Sequence, residues 1–212
     1  DVEGQILAGD GLPMAGVRVA TSWSGQRGAK VESDNDGRYR IKLDGDAEAR
    51  AIVAMTSDQR WGAIAPVQSA TKTLEGHWVL DLTLEPLVLL QGRMDWQPIE
   101  GALPETEVSI SVLPSGARIA KSKSESGVFR FLLPPGRYRL DANAQGEHRA
   151  WTETLVVADL ALDLGQIEVA AHPLTQFYGE VPPSWTVTGT RNAPADVTLQ
   201  TYAGKWVVLV VW

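Results

Sequence analysis

The sequence predicts an all-β chain built from tandem β-sandwiches, and three observations lead to this prediction. Short segments alternate apolar with polar residues, as strands with one buried face do. Gly, Asp and Pro, which favour tight turns, separate these segments. The same order of segments and turns then occurs a second time. Short strands in this arrangement are typical of a sandwich or a barrel.

Five alternating segments are the most clearly predicted strands. They lie at residues 17–21, 39–43, 108–112, 128–132 and 138–142. The best helix candidate is the segment 152–164, in which apolar residues recur. Its Val156-Val157 pair favours a strand, because β-branched side chains fit a pleated surface, and residues 160–164 alternate. We therefore predict two strands there rather than a helix.

An internal repeat of about 85–90 residues divides most of the chain into two similar parts. The matched segments are 2–6 with 90–94, 13–16 with 98–101, and 33–41 with 124–131. Each part is a suitable size for one small sandwich. We predict one sandwich at residues 1–86 and a second at residues 87–171.

The repeat also carries a motif. Its parts are Gly11-Leu12-Pro13-Met14-Ala15-Gly16-Val17, then Ser33-Asp34 and Gly37-Arg38-Tyr39, and in the second copy Leu133-Pro134-Pro135-Gly136-Arg137-Tyr138. Over residues 1–170 this pattern resembles the carboxypeptidase regulatory-like domain. The resemblance implies that each sandwich is prealbumin-like (transthyretin-like). It also implies an accessory module, which says more about fold than about function.

After residue 171 the pattern changes. Residues 172–188 contain Pro182-Pro183 and are predicted to be an extended linker. Residues 189–212 contain Ala193-Pro194 and the run Gly204-Lys205-Trp206-Val207-Val208-Leu209. They resemble the start of a thioredoxin-like redoxin domain of the alkyl hydroperoxide reductase/thiol-specific antioxidant type.

The redoxin resemblance implies that a catalytic cysteine would follow Trp212. We therefore expect a truncated domain that lacks its active site, with no catalytic residue in this chain. Segment 206–212 is continuously apolar, and such strands favour pairing with other chains. We expect it to permit self-association.

Composition excludes several classes of function. The chain has no Cys, which excludes disulfides, thiolate metal sites and thiol catalysis within these residues. Its net charge of −7 argues against a nucleic-acid partner. No apolar run approaches the roughly 18 residues of a transmembrane segment, and no signal peptide begins the chain. We expect no cofactor.

One acidic segment is a weak candidate for a Ca²⁺ site. Asp34 and Asp36 lie close together, and Asp44 and Asp46 follow in the next turn. Carboxylates at short spacing suit a hard cation, but the twelve-residue ligand pattern is missing. A hairpin turn is the favoured interpretation, since Gly37 follows Asp36. The three histidines, His77, His148 and His172, have no metal-ligand spacing.

Eight tryptophans are many for this length. Most are expected to fill cores or the junction between the sandwiches. Trp23, Trp61 and Trp96 lie next to polar, turn-like residues and are the candidates for surface binding. An exposed indole can stack on a sugar ring or anchor a protein.

We therefore predict a non-catalytic extracytoplasmic module, with a bacterial-type periplasmic or secreted location implied by the resemblances. It would position or dock an attached thiol–disulfide oxidoreductase or peroxiredoxin-like domain, or another protein. The alternative is a carbohydrate- or cell-surface-binding module that uses exposed Trp side chains.

Overall fold

The computed structural model describes residues 1–21, 29–43, 50–97, 105–144 and 150–171, together with residues 173 and 204. The chain divides into two compact units, Asp1–His172 and Pro173–Trp212. The predicted linker and redoxin-like segment thus lie almost wholly outside the described residues. Within the described residues the first unit is built of β-strands, as predicted from the period-two pattern.

The first repeat forms two sheets. Its strands are β1 (Val2–Leu7), β2 (Arg18–Ala20), β3 (Lys30–Glu32), β4 (Arg38–Ile41), β5 (Ala51–Met55), β6 (Trp61–Pro66), β7 (Thr71–Lys72), β8 (Trp78–Val79), β9 (Leu82–Thr83) and β10 (Glu85–Pro86), with a short 3₁₀ turn at Val67–Ser69. Sheet I has the order β4-β1-β8-β7, with β9 also beside β1. Sheet II has the order β10-β6-β5-β2-β3.

The second repeat forms sheets III and IV. Its strands are β11 (Val88–Trp96), β12 (Thr106–Val112), β13 (Ala117–Ser124), β14 (Val128–Leu133), β15 (Gly136–Ala144), β16 (Trp151–Val157) and β17 (Leu162–Val169). Sheet III has the order β14-β11-β17, and sheet IV has the order β13-β12-β15-β16. The two strands predicted in place of a helix are β16 and β17.

The two repeats share one strand order. In each, the first strand lies between the antiparallel fourth strand and a parallel strand near the end of the repeat, as in β4-β1-β9 and β14-β11-β17. The order β3-β2-β5-β6 in sheet II likewise matches β13-β12-β15-β16 in sheet IV. Ile6 N–H donates to Gly37 O at 2.8 Å, and Met94 N–H donates to Gly127 O at 3.0 Å in the matching place. For the described residues, the predicted all-β fold of tandem β-sandwiches is confirmed.

A glycine interrupts the first strand of each repeat. A side chain at Gly4 would overlap the carbonyl oxygen of Leu80, and one at Gly92 would lie 2.7 Å from the ring of Phe129. The parallel pairing of β1 changes from β8 to β9 at Gly4, and that of β11 to β17 shifts register at Gly92. Both glycines therefore permit a close approach that a Cβ atom would block.

The first repeat has its own core. Sheet I contributes Ile6 and Leu82, and sheet II contributes Val19 and Ile52. The core of the second repeat lies between sheets III and IV and includes Phe129, Ile110 and Leu140. Each sheet thus buries one face, as a sandwich requires.

The core of the second repeat extends into the first. Ala20, Ala51 and Val53 of sheet II belong to the same apolar cluster as the second-repeat core, and Ile64 packs against it. Strand β5 lies beside β13, and β6 beside β12. Ala51 and Val53 alternate with Ile52 and therefore use the opposite face of the same strand. The described part of unit one is thus joined by apolar packing.

Among the described residues, no helix is long and apolar enough to cross a bilayer.

Candidate functional site

A polar groove lies on the outer face of sheet IV. We call it the serine groove, because Ser109 and Ser111 lie among its lining residues; the others include Arg118, Arg139, Asp141, Asn143, Trp151 and Thr152. Its volume is about 400 Å³. This volume is within the range of about 300–1,000 Å³ that is common for small-ligand sites.

The alternation of β12 produces the groove. Val108, Ile110 and Val112 point to the core, so Ser109 and Ser111 point to the opposite face. Across the sheet, Ser109 is opposite Lys121 and Asp141, and Ser111 is opposite Arg118 and Arg139. Two short side chains between rows of longer ones leave a trough along β12.

The charges around the groove are almost all paired. Arg139 Nε donates to Asp141 Oδ2 at 3.0 Å, and Thr152 Oγ1 donates to Asp141 Oδ1 at 2.9 Å. Lys121 lies 3.2 Å from Glu107 on the same face. Arg118 is exposed and has no ion pair within the described residues. Among the described lining residues, the positive charges of Arg118 and Arg139 outnumber the one negative charge of Asp141.

The two serines are buried although they line a groove. Ser111 is 2% exposed and Ser109 is 8% exposed. In the described part of the chain neither hydroxyl makes a hydrogen bond. Buried polar side chains usually have a partner, so these two hydroxyls are exceptions among the described residues.

Trp151 lines the groove at the start of β16. It is half-buried, because part of its ring packs against the core of the second repeat. Trp151 lies opposite Ala142 of β15, which is buried in that core, so its indole belongs to the core face of sheet IV and not to the face that carries the two serines.

A second groove, of about 690 Å³, lies on the first repeat. Its acidic residues, Glu3, Glu32, Asp34 and Asp81, outnumber its basic residues, Arg38 and Arg40. Several of these groups hold strands together: Asp81 Oδ1 accepts from Gln5 N–H at 2.8 Å, and Arg40 lies 2.9 Å from Asp1. These polar groups therefore have structural partners.

The structure describes two of the four candidate Ca²⁺ residues, Asp34 and Asp36. Asp34 Oδ1 accepts hydrogen bonds from Asp36 N–H at 3.0 Å and Arg38 N–H at 2.8 Å, as in a turn capped by an Asp side chain. Asp44 and Asp46 lie outside the described residues. In the described ranges, no group of three or more His, Cys, Asp or Glu is arranged to hold a metal ion. A Ca²⁺ site at all four positions stays a prediction.

The three candidate tryptophans have different surroundings. Trp61 begins β6 and is 42% exposed. Trp23 lies outside the described residues. Trp96 is only 3% exposed, so the expectation that it lies at the surface is wrong. Its Nε1 donates to Thr106 Oγ1 at 2.6 Å, and its ring belongs to the core of the second repeat.

Two buried tyrosines have strongly raised pKa values. Burial raises the pKa of Tyr39, and the nearby Asp81 carboxylate adds to the rise. Burial likewise raises the pKa of Tyr138, with a smaller effect of Glu85. The Tyr39 hydroxyl donates to Leu80 O at 2.7 Å, and the Tyr138 hydroxyl donates to Pro134 O at 2.8 Å. Both hydroxyls therefore stabilise the backbone through a buried hydrogen bond.

Smaller pKa shifts occur at exposed turns and ion pairs. Hydrogen bonds from Thr56 and from Arg60 N–H lower the pKa of Asp58, and those from Gly165 N–H and Gln91 lower the pKa of Asp163. These groups cap turns or link strands.

The sequence argument missed the serine groove and did not identify the strands that join the two repeats. The contact had a signal: Ala51–Met55 is apolar at every position, which indicates a strand covered on both faces. The signal for the groove was weaker. The sequence shows Ser109 and Ser111 only as polar positions on the outer face, and the groove can be inferred only when the strands beside β12 are known.

No family model matches the sequence, and no curated protein matches it. Solved structures that align with the chain do so at TM-scores below 0.5. They include the Bacillus anthracis TIE protein (17% identity, TM-score 0.34, 80% of this chain) and a streptococcal ancillary pilin (12%, 0.35, 81%). A third is GBS52, the minor pilin of Streptococcus agalactiae (10%, 0.36, 86% of this chain and 100% of that one). The chain spans 34% of the length of the first and 62% of the second.

Proposed function

We propose that the repeat region is a non-catalytic module that positions or docks an attached domain or a partner protein. The observation that carries this proposal is the apolar cluster shared by the two repeats. Ala20, Ala51 and Val53 are each at most 6% exposed within it. Full burial of a Val side chain is worth about 1.5–3 kcal/mol, so bending at this contact would be unfavourable. A rigid pair of sandwiches holds its two ends at a fixed spacing.

The perturbed titratable groups support a structural role. Catalytic groups with shifted pKa values usually face one another in a cleft. In the described residues, the shifted tyrosines bond to backbone carbonyls in the core, and the shifted Asp58 and Asp163 bond to turn amides. Each shift thus has an explanation in the fold.

The finer proposal concerns what is attached. We propose a thioredoxin-like thiol–disulfide oxidoreductase or peroxiredoxin-like domain that works outside the cytoplasm. This rests on the motifs of residues 189–212 and on the accessory role implied by the resemblance of residues 1–170. Self-association through 206–212 belongs to the same proposal.

An activity assay on the purified chain tests the non-catalytic role. Reduction of insulin disulfides and of hydrogen peroxide by dithiothreitol is followed with and without the chain. The chain has no Cys and is expected to accelerate neither reaction. Thiol-dependent turnover above the buffer rate would overturn the proposal.

The coding sequence after Trp212 tests the finer proposal. A cysteine within about ten residues is expected, because the redoxin nucleophile follows its apolar strand closely. Its absence there would remove the redoxin while leaving the spacer role intact. Size-exclusion chromatography of the parent chain and of Val208→Lys tests self-association. If segment 206–212 pairs between chains, the parent should elute as an oligomer and the variant as a monomer.

The alternative function, glycan binding through exposed tryptophans, has one described residue in its favour. Trp61 is 42% exposed at a strand end. Binding on a glycan array that Trp61→Ala abolishes would favour this alternative, and binding that survives would place it elsewhere.

A further inference from the structure

We propose that two copies of this chain form a symmetric dimer through strand β16, which pairs antiparallel with β16 of the second copy. The four strands of sheet IV in each copy then make one continuous sheet across the dimer. The proposal goes beyond the spacer role, and it names a contact other than segment 206–212. It rests on the edge of β16, on two exposed apolar side chains and on the order of residues along the strand.

Strand β16 is the last strand of sheet IV, and among the described residues only β15 pairs with it. In the first repeat the matching strand, β6, is paired at its start by β10. The outer edge of β16 presents a row of backbone N–H and C=O groups, which another extended strand can satisfy. This edge therefore selects a strand as its partner.

The other sheet edges in the described ranges have features that discourage such pairing. Strands β3, β7, β9 and β10 are two or three residues long. Strands β4, β13 and β14 carry Lys or Arg side chains, and β17 contains Gly165 at a shift of register. Strand β16 has seven residues, none of which is Gly, Pro, Lys or Arg. It is thus the edge best suited to pair with another chain.

Two exposed apolar side chains belong to β16 and to the segment after it. Val156 is 68% exposed, and Leu160 is 76% exposed. Leu155 and Val157 are buried on the core face, so Val156 points to the outer face of sheet IV. A strand added at this edge covers part of Val156, and removal of its apolar surface from water favours association.

The order of residues in β16 allows the strand to pair with itself. When Thr154 of one copy lies opposite Thr154 of the other, all seven residues of each strand have a partner. In this register Trp151 lies opposite Val157, and Thr152 lies opposite Val156. Thr–Thr pairs and pairs of an aromatic with a β-branched side chain stabilise antiparallel sheets. A contact that uses one patch on both copies also closes after two chains.

Glu153 is the one charged residue of β16. In the same register it lies opposite Leu155 of the second copy, so no like charges are directly opposite each other. The two Glu153 side chains are diagonal neighbours on one face and repel each other weakly. The register therefore predicts a reversible dimer whose affinity is limited by this residue.

Site-specific cross-linking of the 212-residue chain tests the proposal, because the chain has no Cys of its own. In the proposed register the two Thr154 Cβ atoms lie about 4.5–5.5 Å apart, close to the span of a disulfide. Thr154→Cys should therefore form a disulfide-linked dimer when oxidised with diamide, as seen by non-reducing electrophoresis. Thr152→Cys is the matched control on the same strand and face. Its two copies lie four residues apart along the strands, about 13 Å, and should not link.

Sedimentation velocity over a series of chain concentrations measures the affinity. The chain with Val208→Lys should still dimerise, which separates this contact from segment 206–212. Thr154→Lys places two ammonium groups opposite each other and should weaken the dimer by about tenfold or more. Glu153→Gln removes the diagonal repulsion and should tighten it several-fold. Val128→Lys adds a lysine to β14 at an exposed position and should leave the affinity unchanged.

Three results would overturn the proposal. The first is a chain that stays monomeric at its highest soluble concentration, which would leave the edge of β16 to a different protein. The second is equal cross-linking of Thr154→Cys and Thr152→Cys. The third is a dimer that Val208→Lys abolishes and Thr154→Lys leaves unchanged, since the contact would then belong to segment 206–212.

Discussion

The outer faces of sheets II and IV occupy the same position in the two repeats but have different surroundings. In sheet II, Ala20, Ala51 and Val53 are buried in the cluster shared with the second repeat. In sheet IV, the equivalent strands carry Ser109 and Ser111 among charged side chains that line a groove. The same strand order is thus used once for packing and once for a polar surface. The difference lies in the side chains at alternate positions rather than in the backbone.

The largest expected effect comes from placing a charge in the shared cluster. Val53→Asp should lower the free energy of unfolding by about 3–5 kcal/mol, because an unpaired carboxylate would lie among apolar side chains. Denaturant unfolding followed by circular dichroism measures this. Val128→Asp is the control, since Val128 is 39% exposed, and it should cost less than about 1 kcal/mol. Similar losses in both variants would mean that the sheet II face is not buried.

A smaller effect is expected where the repeats are alike. Gly4→Ala should cost about 2–3 kcal/mol, because the new Cβ would overlap the Leu80 carbonyl and push β1 from its parallel neighbours. Gly9→Ala has no neighbouring atom within 4 Å and should be nearly neutral. An unchanged unfolding midpoint in Gly4→Ala would show that the strand can move aside without cost.

The buried tyrosines should give the smallest effect, seen best at high pH. Each pKa is raised above its ordinary value of 10.0. Their contribution is therefore complete below pH 10 and is lost as pH rises, because the unfolded chain releases the phenolic protons first. The slope should be up to about 1.4 kcal/mol per pH unit for each tyrosine.

Single substitutions separate the two tyrosines. Tyr39→Phe and Tyr138→Phe should each cost about 1 kcal/mol at pH 7, since a buried carbonyl loses its donor. Above pH 10 each variant should show a shallower decline in stability than the parent chain. Parallel declines in the parent and both variants would show that neither hydroxyl is buried in solution.

Much of the fold could be predicted from local patterns. Alternation predicted β4, β12, β14 and β15, and the repeated order of segments corresponds to the repeated strand order. The sequence predicts the Asp-Gly turn after β3 because Gly tolerates positive φ, and Gly37 has a φ of 72° in the structure. Such features depend on residues close together in sequence.

The features that were missed depend on distant residues. Trp96 is followed by polar residues, but its burial is decided by Thr106 and the core behind it. The serine groove exists because β13 and β15 place long side chains on either side of β12, a pairing that no short segment reveals. The wrong expectation for Trp96 and the missed serine groove therefore have the same cause, which is that both depend on contacts between residues distant in sequence.

Hydrogen exchange followed by mass spectrometry tests most directly whether the two repeats form one rigid body. The most protected amides of β5 in the first repeat and of β15 in the second are compared over a series of low denaturant concentrations. A shared core predicts one opening free energy and one denaturant slope for both strands, since neither repeat can open without exposing the cluster. A lower opening free energy for β5 alone, unaffected by conditions that open β15, would contradict the account.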